Sequence, residues 1–423
     1  MWETLRNVWR VPELRKKVLY TFFMLLIFRL VSVIPVPGLD PAVMQQAAET
    51  YDMLGLMNMM TGSSLSQMTI MAMGISPYIN ASIIMQLLTI AIPALERLQK
   101  EGGEEGKKKV QQITRYVTIA LAALQAIGIV AGLGAIKPGY ANFFGYVAIG
   151  IILAGGTALA MWIGEQITKN GIGNGISLLI FAGIISNLFS GFSTLIANSF
   201  TATSLTPWIQ FLAVLAMFLV IIVLVTFVDM GVRRINVNYA KRVTGRRMYG
   251  GQNTVIPMKV VSVGVLPLIF AYSFMAFPGT IIQLIGGASS GAAIWWSQYM
   301  NAYSPLYMII TALLIVAFTY FYSSISFQPD EMAKNIQQQG GAIPSVRPGK
   351  PTADYLRKVN NRLILFAALF LAVLATVPTL LTLLLGIQLP FAASSLLIAV
   401  SVVLEFKRQM DDLLVSRNYD SIS

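Results

Sequence analysis

The chain has 423 residues, a net charge of +12, a mean hydropathy of +0.69 and a charged fraction of 11%, whereas a soluble protein carries about a quarter charged residues. This composition excludes an ordinary soluble domain and indicates a multi-span membrane protein. Cysteine and histidine are absent, which excludes disulfides, thiolate metal sites and the commonest general base.

Apolar runs of about 20 residues, the length that crosses a bilayer as a helix, recur along the whole chain. They predict an all-α integral membrane protein with ten transmembrane helices. The spans are expected at 18–34, 67–92, 113–133, 143–163, 175–192, 208–228, 260–285, 306–327, 363–386 and 389–404.

The basic residues alternate strongly between successive loops of this ten-span arrangement. One set of alternate segments holds 28 of the 30 Lys and Arg, the opposite set holds Lys137, and Arg29 lies within the first span. The positive-inside rule then predicts that both termini are cytoplasmic. We expect a multi-pass protein of the plasma (inner) membrane.

Five spans in each half predict two inverted, pseudo-symmetric five-helix halves, an arrangement common in transporters and channels. The halves are expected at 1–192 and 193–423. This is a topological inference, because the two halves show no visible sequence similarity. A small-solute secondary transporter with inverted repeats is therefore the alternative function.

The stretch 54–88 contains a short apolar run, a Thr61-Gly62-Ser63-Ser64 break and then a long apolar run with Pro77 inside it. A short helix, a hinge and a full span form a re-entrant pattern, which is tolerated in a membrane only where protein covers it or it lines a cavity. An amphipathic helix on the membrane surface is the alternative, and the pattern alone does not decide between them.

Two long basic segments, 228–259 and 328–362, are rich in glycine and proline turns. Loops of this length in a compact membrane protein are commonly functional. They could serve only to enforce topology, but their length favours a docking surface.

The spans contain few groups that could carry chemistry. Arg29 is interpreted as a structural or snorkelling cation near one end of its span, and Gln86 and Gln125 as donors or acceptors of interhelical hydrogen bonds. These few polar groups cannot form a proton relay or a pair of catalytic acids, and the sequence contains no phosphate-binding loop. We therefore expect no catalytic residues, no metal, no cofactor and no enzyme activity, and the transporter alternative lacks a coupling residue.

Two isoleucine pairs at helical spacing, Ile75 with Ile79 and Ile176 with Ile180, each lie on one face of a predicted span. Such pairs more often serve helix packing than line a pore. Glycines 171, 173 and 175 precede the second pair and allow a tight turn there.

Four segments, MGISPYINASIIMQLLT, GEQITKNGIGNGISLLIFAGI, RRINVNYAKRVTGRR and GAIPSVRPGKPTADYL, occur in this order. At these residues the chain resembles the SecY family of central subunits of protein-conducting channels, over essentially its full length. The resemblance implies two halves clamped around an hourglass pore that translocates unfolded polypeptides and releases apolar segments into lipid through a lateral gate.

The resemblance also implies roles for individual residues. A pore ring would comprise Ile75, Ile79, Ile176, Ile180, Ile269 and Ile398. A plug at about 54–66 would include Leu54, Leu56, Met57, Met60, Gly62 and Leu65. The lateral gate would include Tyr78, Asn80, Ser82, Gln86, Tyr272 and Phe277.

The partners that the resemblance implies are the small membrane subunits SecE and SecG, the motor ATPase SecA, the ribosome, an unfolded preprotein with its signal sequence, and membrane lipid. The only nucleic acid that the chain would contact is ribosomal RNA. SecA or the ribosome would dock on the two long basic loops, at Arg242, Arg246, Arg247, Arg347 and Lys350.

Overall fold

A computed structural model describes most of the chain as one helical bundle with a small sheet at one end. The described residues are 9, 11–50, 52–100, 102–201, 206–239, 242–244, 247–249, 253–262, 264, 266–286, 291–301, 304–385 and 393–420.

Each of the ten predicted spans coincides with an observed helix, although helix ends differ from the predicted ends by several residues. The helices are α1 (Pro12–Val31), α2 (Pro41–Thr50), α3 (Asp52–Thr61), α4 (Ser76–Ala91), α5 (Pro93–Lys100), α6 (Gly103–Leu133), α7 (Phe143–Asn170), α8 (Gly175–Thr201), α9 (Thr206–Asp229), α10 (Leu266–Gly286), α11 (Gly291–Tyr299), α12 (Pro305–Ser326), α13 (Pro329–Gln338), α14 (Lys350–Leu385) and α15 (Ala393–Asp420).

Six helices of the described chain are long and apolar enough to cross a membrane, or seven if the bent pair α4–α5 counts as one span. The count of ten spans stays a prediction. Helix α9 exposes large apolar side chains, among them Ile209, Leu212, Val223 and Phe227, as expected of a helix that faces lipid. The helix α8 continues to Thr201, past the predicted boundary at 192, and the division into halves also stays a prediction.

The prediction of a single helical span over 67–92 is wrong at its N-terminal end. Helix α4 begins only at Ser76, with Pro77 in its first turn, and bends by 104° into α5 after Ala91. Residues 62–75 form a series of turns in which Met68, Met71 and Met73 are buried. The apolar character of 67–75 therefore reflects burial under neighbouring elements rather than a membrane-spanning helix.

The two long basic segments fold together, which the sequence analysis did not predict. Strand β1 (Val232–Tyr239) pairs antiparallel with β4 (Asn253–Lys259) along its length and with the short β5 (Gly341–Ala342) at its end. A hairpin of β2 (Arg242–Thr244) and β3 (Arg247–Tyr249) lies between β1 and β4 in sequence. We call the end of the bundle that carries these strands the basic face.

A separate hydrophobic core stabilises the sheet at the basic face. Ile235 and Val237 of β1 alternate inward, as a half-buried strand requires, and pack with Ile336 of α13 and Leu356 of α14. Burial of apolar side chains contributes about 1.5–3 kcal/mol for each large residue. The two basic segments thus form one folded platform rather than two independent loops.

The helices surround two hydrophobic clusters. The larger lies at the centre of the bundle. It contains residues of helices α1, α4, α7, α8, α9, α10, α12, α14 and α15. The smaller lies around α2, α3 and the turns after α3, against α6 and α7. The segment 54–75 contributes to both clusters.

Candidate pore ring, plug and lateral gate

The six isoleucines predicted for the pore ring come together in the central cluster. Five of them are buried and Ile176 is partly buried against the same cluster. Ile79 lies in α4 and Ile75 directly before it, α8 supplies Ile176 and Ile180, α10 supplies Ile269 and α15 supplies Ile398. Elements that are far apart in the sequence therefore contribute to one apolar cluster, and Ile75, Ile79 and Ile180 line one cavity within it.

Local structure positions each pair. Ile75 precedes α4 and its carbonyl accepts the N–H of Ile79 at 3.1 Å, so the two side chains share a helical face. The turn before α8 contains Gly173 at φ +90°, a left-handed conformation that favours glycine. This turn confirms the predicted tight turn and starts α8 one residue before Ile176.

A small cavity separates the ring from the C-terminal end of α3. Its volume is about 10 Å³, and its lining includes Ile75, Ile79 and Ile180 on one side and Met60 and Thr61 on the other. A cavity of this size holds about one water molecule. The end of α3 therefore lies close to three of the isoleucines, across a space of about one water molecule.

The predicted plug is a short buried helix followed by a hinge. Leu54, Met57 and Leu65 are buried in the smaller cluster, and Met60 packs against the central one. The helix ends at Thr61, five residues before the predicted end at 66, because Gly62 and Ser63 both adopt left-handed conformations, at φ +68° and +67°. The break predicted at 61–64 is confirmed. The side chain of Leu56 lies outside the described residues.

Polar side chains of α8 and α1 contact this hinge and the helix before it. Asn187 of α8 hydrogen-bonds the backbone of Asn58 and Met59 and accepts a bond from Ser63. Arg29 of α1 donates to the hydroxyl of Ser186, which places its guanidinium inside the bundle in a structural role. No local sequence signal marks Asn187, since a single asparagine in an apolar helix usually indicates only an interhelical hydrogen bond.

The predicted lateral gate is packed shut in this structure. Helix α4 packs against α10, and α6 and α12 flank that contact. Tyr78 and Tyr272 pack against the central cluster from the two sides, and Asn80 and Ser82 are half-buried. The side chain of Phe277 lies outside the described residues.

One hydrogen bond crosses from α4 to the flanking α12. The Tyr322 hydroxyl donates to Oε1 of Gln86 at 2.6 Å, and the Tyr322 ring stacks on Phe270 of α10 with centroids 4.7 Å apart. The predicted interhelical hydrogen bond of Gln86 is confirmed. That of Gln125 is not, because its buried Oε1 has no hydrogen-bond partner among the described residues.

The predicted docking residues lie on the basic face as far as they are described. Arg347 and Lys350 are exposed. Their turn contains Ser345 and Gly349, which both have a positive φ. The Thr352 hydroxyl stabilises the turn by donating a hydrogen bond to the Arg347 carbonyl. Arg242 and Arg247 lie in the β2–β3 hairpin, whose side chains are outside the described residues, as is all of Arg246.

A polar cavity of about 200 Å³ opens near the start of α8, where the sheet meets the bundle. Asn174 and Ser177, Asp229 and Lys259, and Ser401, Glu405 and Arg408 contribute to its lining. Arg408 bonds both the carboxylate of Asp229, at 2.6 Å, and its carbonyl.

Comparisons with known proteins agree with one another. A sequence model of the SecY family matches residues 69–407. A protein translocase subunit SecY from Streptomyces galbus is 42% identical over 433 residues, which cover 98% of each chain. Two solved structures share the fold, and each comparison covers 98% of both chains. One is described as a protein-conducting channel and has a TM-score of 0.72 and 22% sequence identity to this chain. The other is a SecY protein whose plug domain stabilises the closed channel, with a TM-score of 0.70 and 21% sequence identity.

Proposed function

This chain belongs to the SecY family, and from that premise we propose how its residues conduct polypeptides. It is a multi-pass membrane protein and a protein translocase subunit, a channel component rather than an enzyme. The six isoleucines form the constriction, α3 and its hinge form the plug, and α4 and α10 form the lateral gate. One observation carries this assignment: the six isoleucines belong to one apolar cluster, and three of them line a cavity together with Met60.

An isoleucine ring suits a channel for unspecified polypeptides. A narrow apolar constriction excludes water and therefore blocks ions by dewetting. Isoleucine side chains carry no hydrogen-bond donor that would bind some passing segments and stall them. The ring thus parts around any extended chain and closes again when the chain has left.

The gate supports release of apolar segments to lipid. An apolar segment of about 20 residues lowers its free energy when it moves from the channel into the bilayer. Separation of α4 from α10 and α12 opens a path between pore and lipid. The tyrosine and amide groups at this contact require only a rearrangement of hydrogen bonds when the helices part.

The platform at the basic face is the docking site for the partner that drives translocation, either SecA or a ribosome that contacts it through RNA. Its exposed Arg347 and Lys350 and its folded core support a rigid, cationic surface. SecE and SecG are the small membrane subunits of the assembly. The basic face is cytoplasmic and the membrane is the plasma membrane, as the distribution of Lys and Arg predicts.

Site-specific crosslinking tests the proposal directly, because the chain contains no cysteine. A preprotein arrested during translocation should crosslink to the variants Ile79→Cys and Ile180→Cys. The variant Ile185→Cys, on the exposed side of α8, is the control and should not react. Equal reaction at all three positions would place the polypeptide path elsewhere. Uptake of a small solute driven by an ion gradient would instead favour a secondary transporter.

A further inference from the structure

One face of α8 carries both the ring and the support of the plug. Ile176, Ile180, Gly183 and Asn187 follow one another at intervals of four, three and four residues, which places them on one side of a helix. Ile180 lines the cavity below Met60. At Gly183 an added Cβ would collide with the Met60 carbonyl, so the glycine lets α3 lie directly against α8.

Asn187 lies seven residues beyond Ile180, about 10 Å along the helix axis, and makes three hydrogen bonds to the plug. Its Nδ2 donates to the carbonyls of Met59 at 2.6 Å and Asn58 at 3.1 Å. Its Oδ1 accepts the Ser63 hydroxyl at 2.6 Å. The carboxamide therefore contacts both the last turn of α3 and the hinge that follows it.

These contacts reinforce the end of the plug helix, where the Asn58 carbonyl also accepts the Ser63 N–H at 2.9 Å and the Met59 carbonyl accepts the Gly62 N–H at 3.3 Å. The last four carbonyls of an α-helix have no intrahelical donor, and α3 ends at Thr61. Asn187 adds hydrogen bonds from another helix to the cap that the hinge residues make themselves. The second support comes from Arg29, which bonds Ser186 and packs its guanidinium against Gly62.

We propose that Asn187 is the positioning residue that fastens the plug under the ring and sets how readily the plug leaves. This inference rests on the proposed function of α3 as a plug. Because Ile180 and Asn187 share a rigid helix, a polypeptide that displaces Ile180 also moves the Asn187 carboxamide away from Met59. Opening of the ring and release of the plug are then one coupled movement of α8.

Ion conductance of the purified channel complex in planar bilayers, without preprotein, tests the inference. Asn187→Leu removes all three bonds, and Asn187→Asp keeps the acceptor for Ser63 but sets a carboxylate against two carbonyls. Each should raise the fraction of time that the channel spends in conducting states at least about tenfold, because more than one hydrogen bond of a half-buried site is lost. Ser63→Ala removes one bond and should give a smaller rise.

Ser193→Ala is the matched control, because Ser193 is on α8 but exposed and bonds only the Ser190 carbonyl among the described residues. The ion conductance of the Ser193→Ala channel should equal that of the unmodified channel. A second readout is translocation of a preprotein with a weakened signal sequence, which should increase in the Asn187 variants.

The outcomes separate this inference from the proposed function. If the unmodified complex translocates a normal preprotein and the Asn187 variants leak no more than Ser193→Ala, the fastening role is refuted while the channel function stands. If the unmodified complex moves no preprotein, the proposed function itself fails. If one Asn187 variant does not fold, the other and Ser63→Ala still decide the question.

Discussion

The Tyr322 hydroxyl and the Gln86 side-chain oxygen lie 2.6 Å apart, although 236 residues separate them in the sequence. The bond joins α4 to α12 beside the contact of α4 with α10. It is one of the interactions that must break before the predicted lateral gate opens. Among the described residues, this bond is a polar contact that links the two predicted sides of the gate region.

Replacement of Tyr322 by phenylalanine should make the gate open more easily. Tyr322→Phe keeps the stack on Phe270 but leaves the half-buried Gln86 oxygen without its donor, at a cost of about 1 kcal/mol. Translocation of a preprotein with a defective signal sequence should rise about fivefold in a reconstituted assay. Tyr320→Phe, on the exposed side of α12, is the control, and an equal effect of both variants would argue against the bond.

A polar residue in the ring should let ions through. Ile180→Ser introduces a hydroxyl and removes apolar volume at the constriction, so water enters and dewetting no longer blocks ions. Conductance without preprotein should rise at least about threefold, well above that of the lipid-facing control Ile185→Ser. Unchanged conductance would remove Ile180 from the ring.

Charge reversal at the basic face should separate driven translocation from membrane insertion. Arg347→Glu places a carboxylate in an exposed turn of the platform, where it repels an acidic partner surface. Partner-driven translocation should fall about tenfold while insertion and thermal stability of the chain are unchanged. Lys334→Glu, exposed on α13 of the same platform, should have a much smaller effect; normal translocation by Arg347→Glu would refute the docking role.

Loss of Arg408 should destabilise the channel. The Asp229 side chain is 9% exposed and its carboxylate pairs with Arg408 at 2.6 Å. Removal of Arg408 takes a charge-assisted hydrogen bond from a largely buried carboxylate that Lys259 still faces across the polar cavity, and Arg408→Ala should cost about 2 kcal/mol in thermal or denaturant unfolding. Arg357→Ala breaks ion pairs in which the arginine is 50% exposed and should cost less than about 1 kcal/mol.

A double variant tests why the loss of Arg408 lowers the stability of the chain. Asp229→Asn combined with Arg408→Ala removes both charges, and the coupling between the two sites should recover part of the lost stability. If the double variant is as unstable as the sum of the two single variants, Arg408 acts through packing rather than through its pairing with Asp229.

The sequence by itself determined where most of the long apolar helices lie, since each predicted span overlaps a helix and 67–75 is the longest segment wrongly assigned to one. It also determined the break at 61–64, because glycine and serine there permit the left-handed backbone observed at Gly62 and Ser63. The ordered motifs were sufficient to identify the family. These are local properties, and periodicity, turn chemistry and short motifs record them directly.

Only the tertiary structure decided which distant segments cover one another. The apolar residues 67–75 were read as part of a span, but they are buried turns under neighbouring helices. Ile235 packs with Ile336 in a sheet whose strands come from two separate loops, and Asn187 hydrogen-bonds the end of a helix 128 residues earlier in the chain. A sequence pattern shows that a face is apolar or that an amide needs a partner. It does not specify the partner, because that depends on how the whole chain packs.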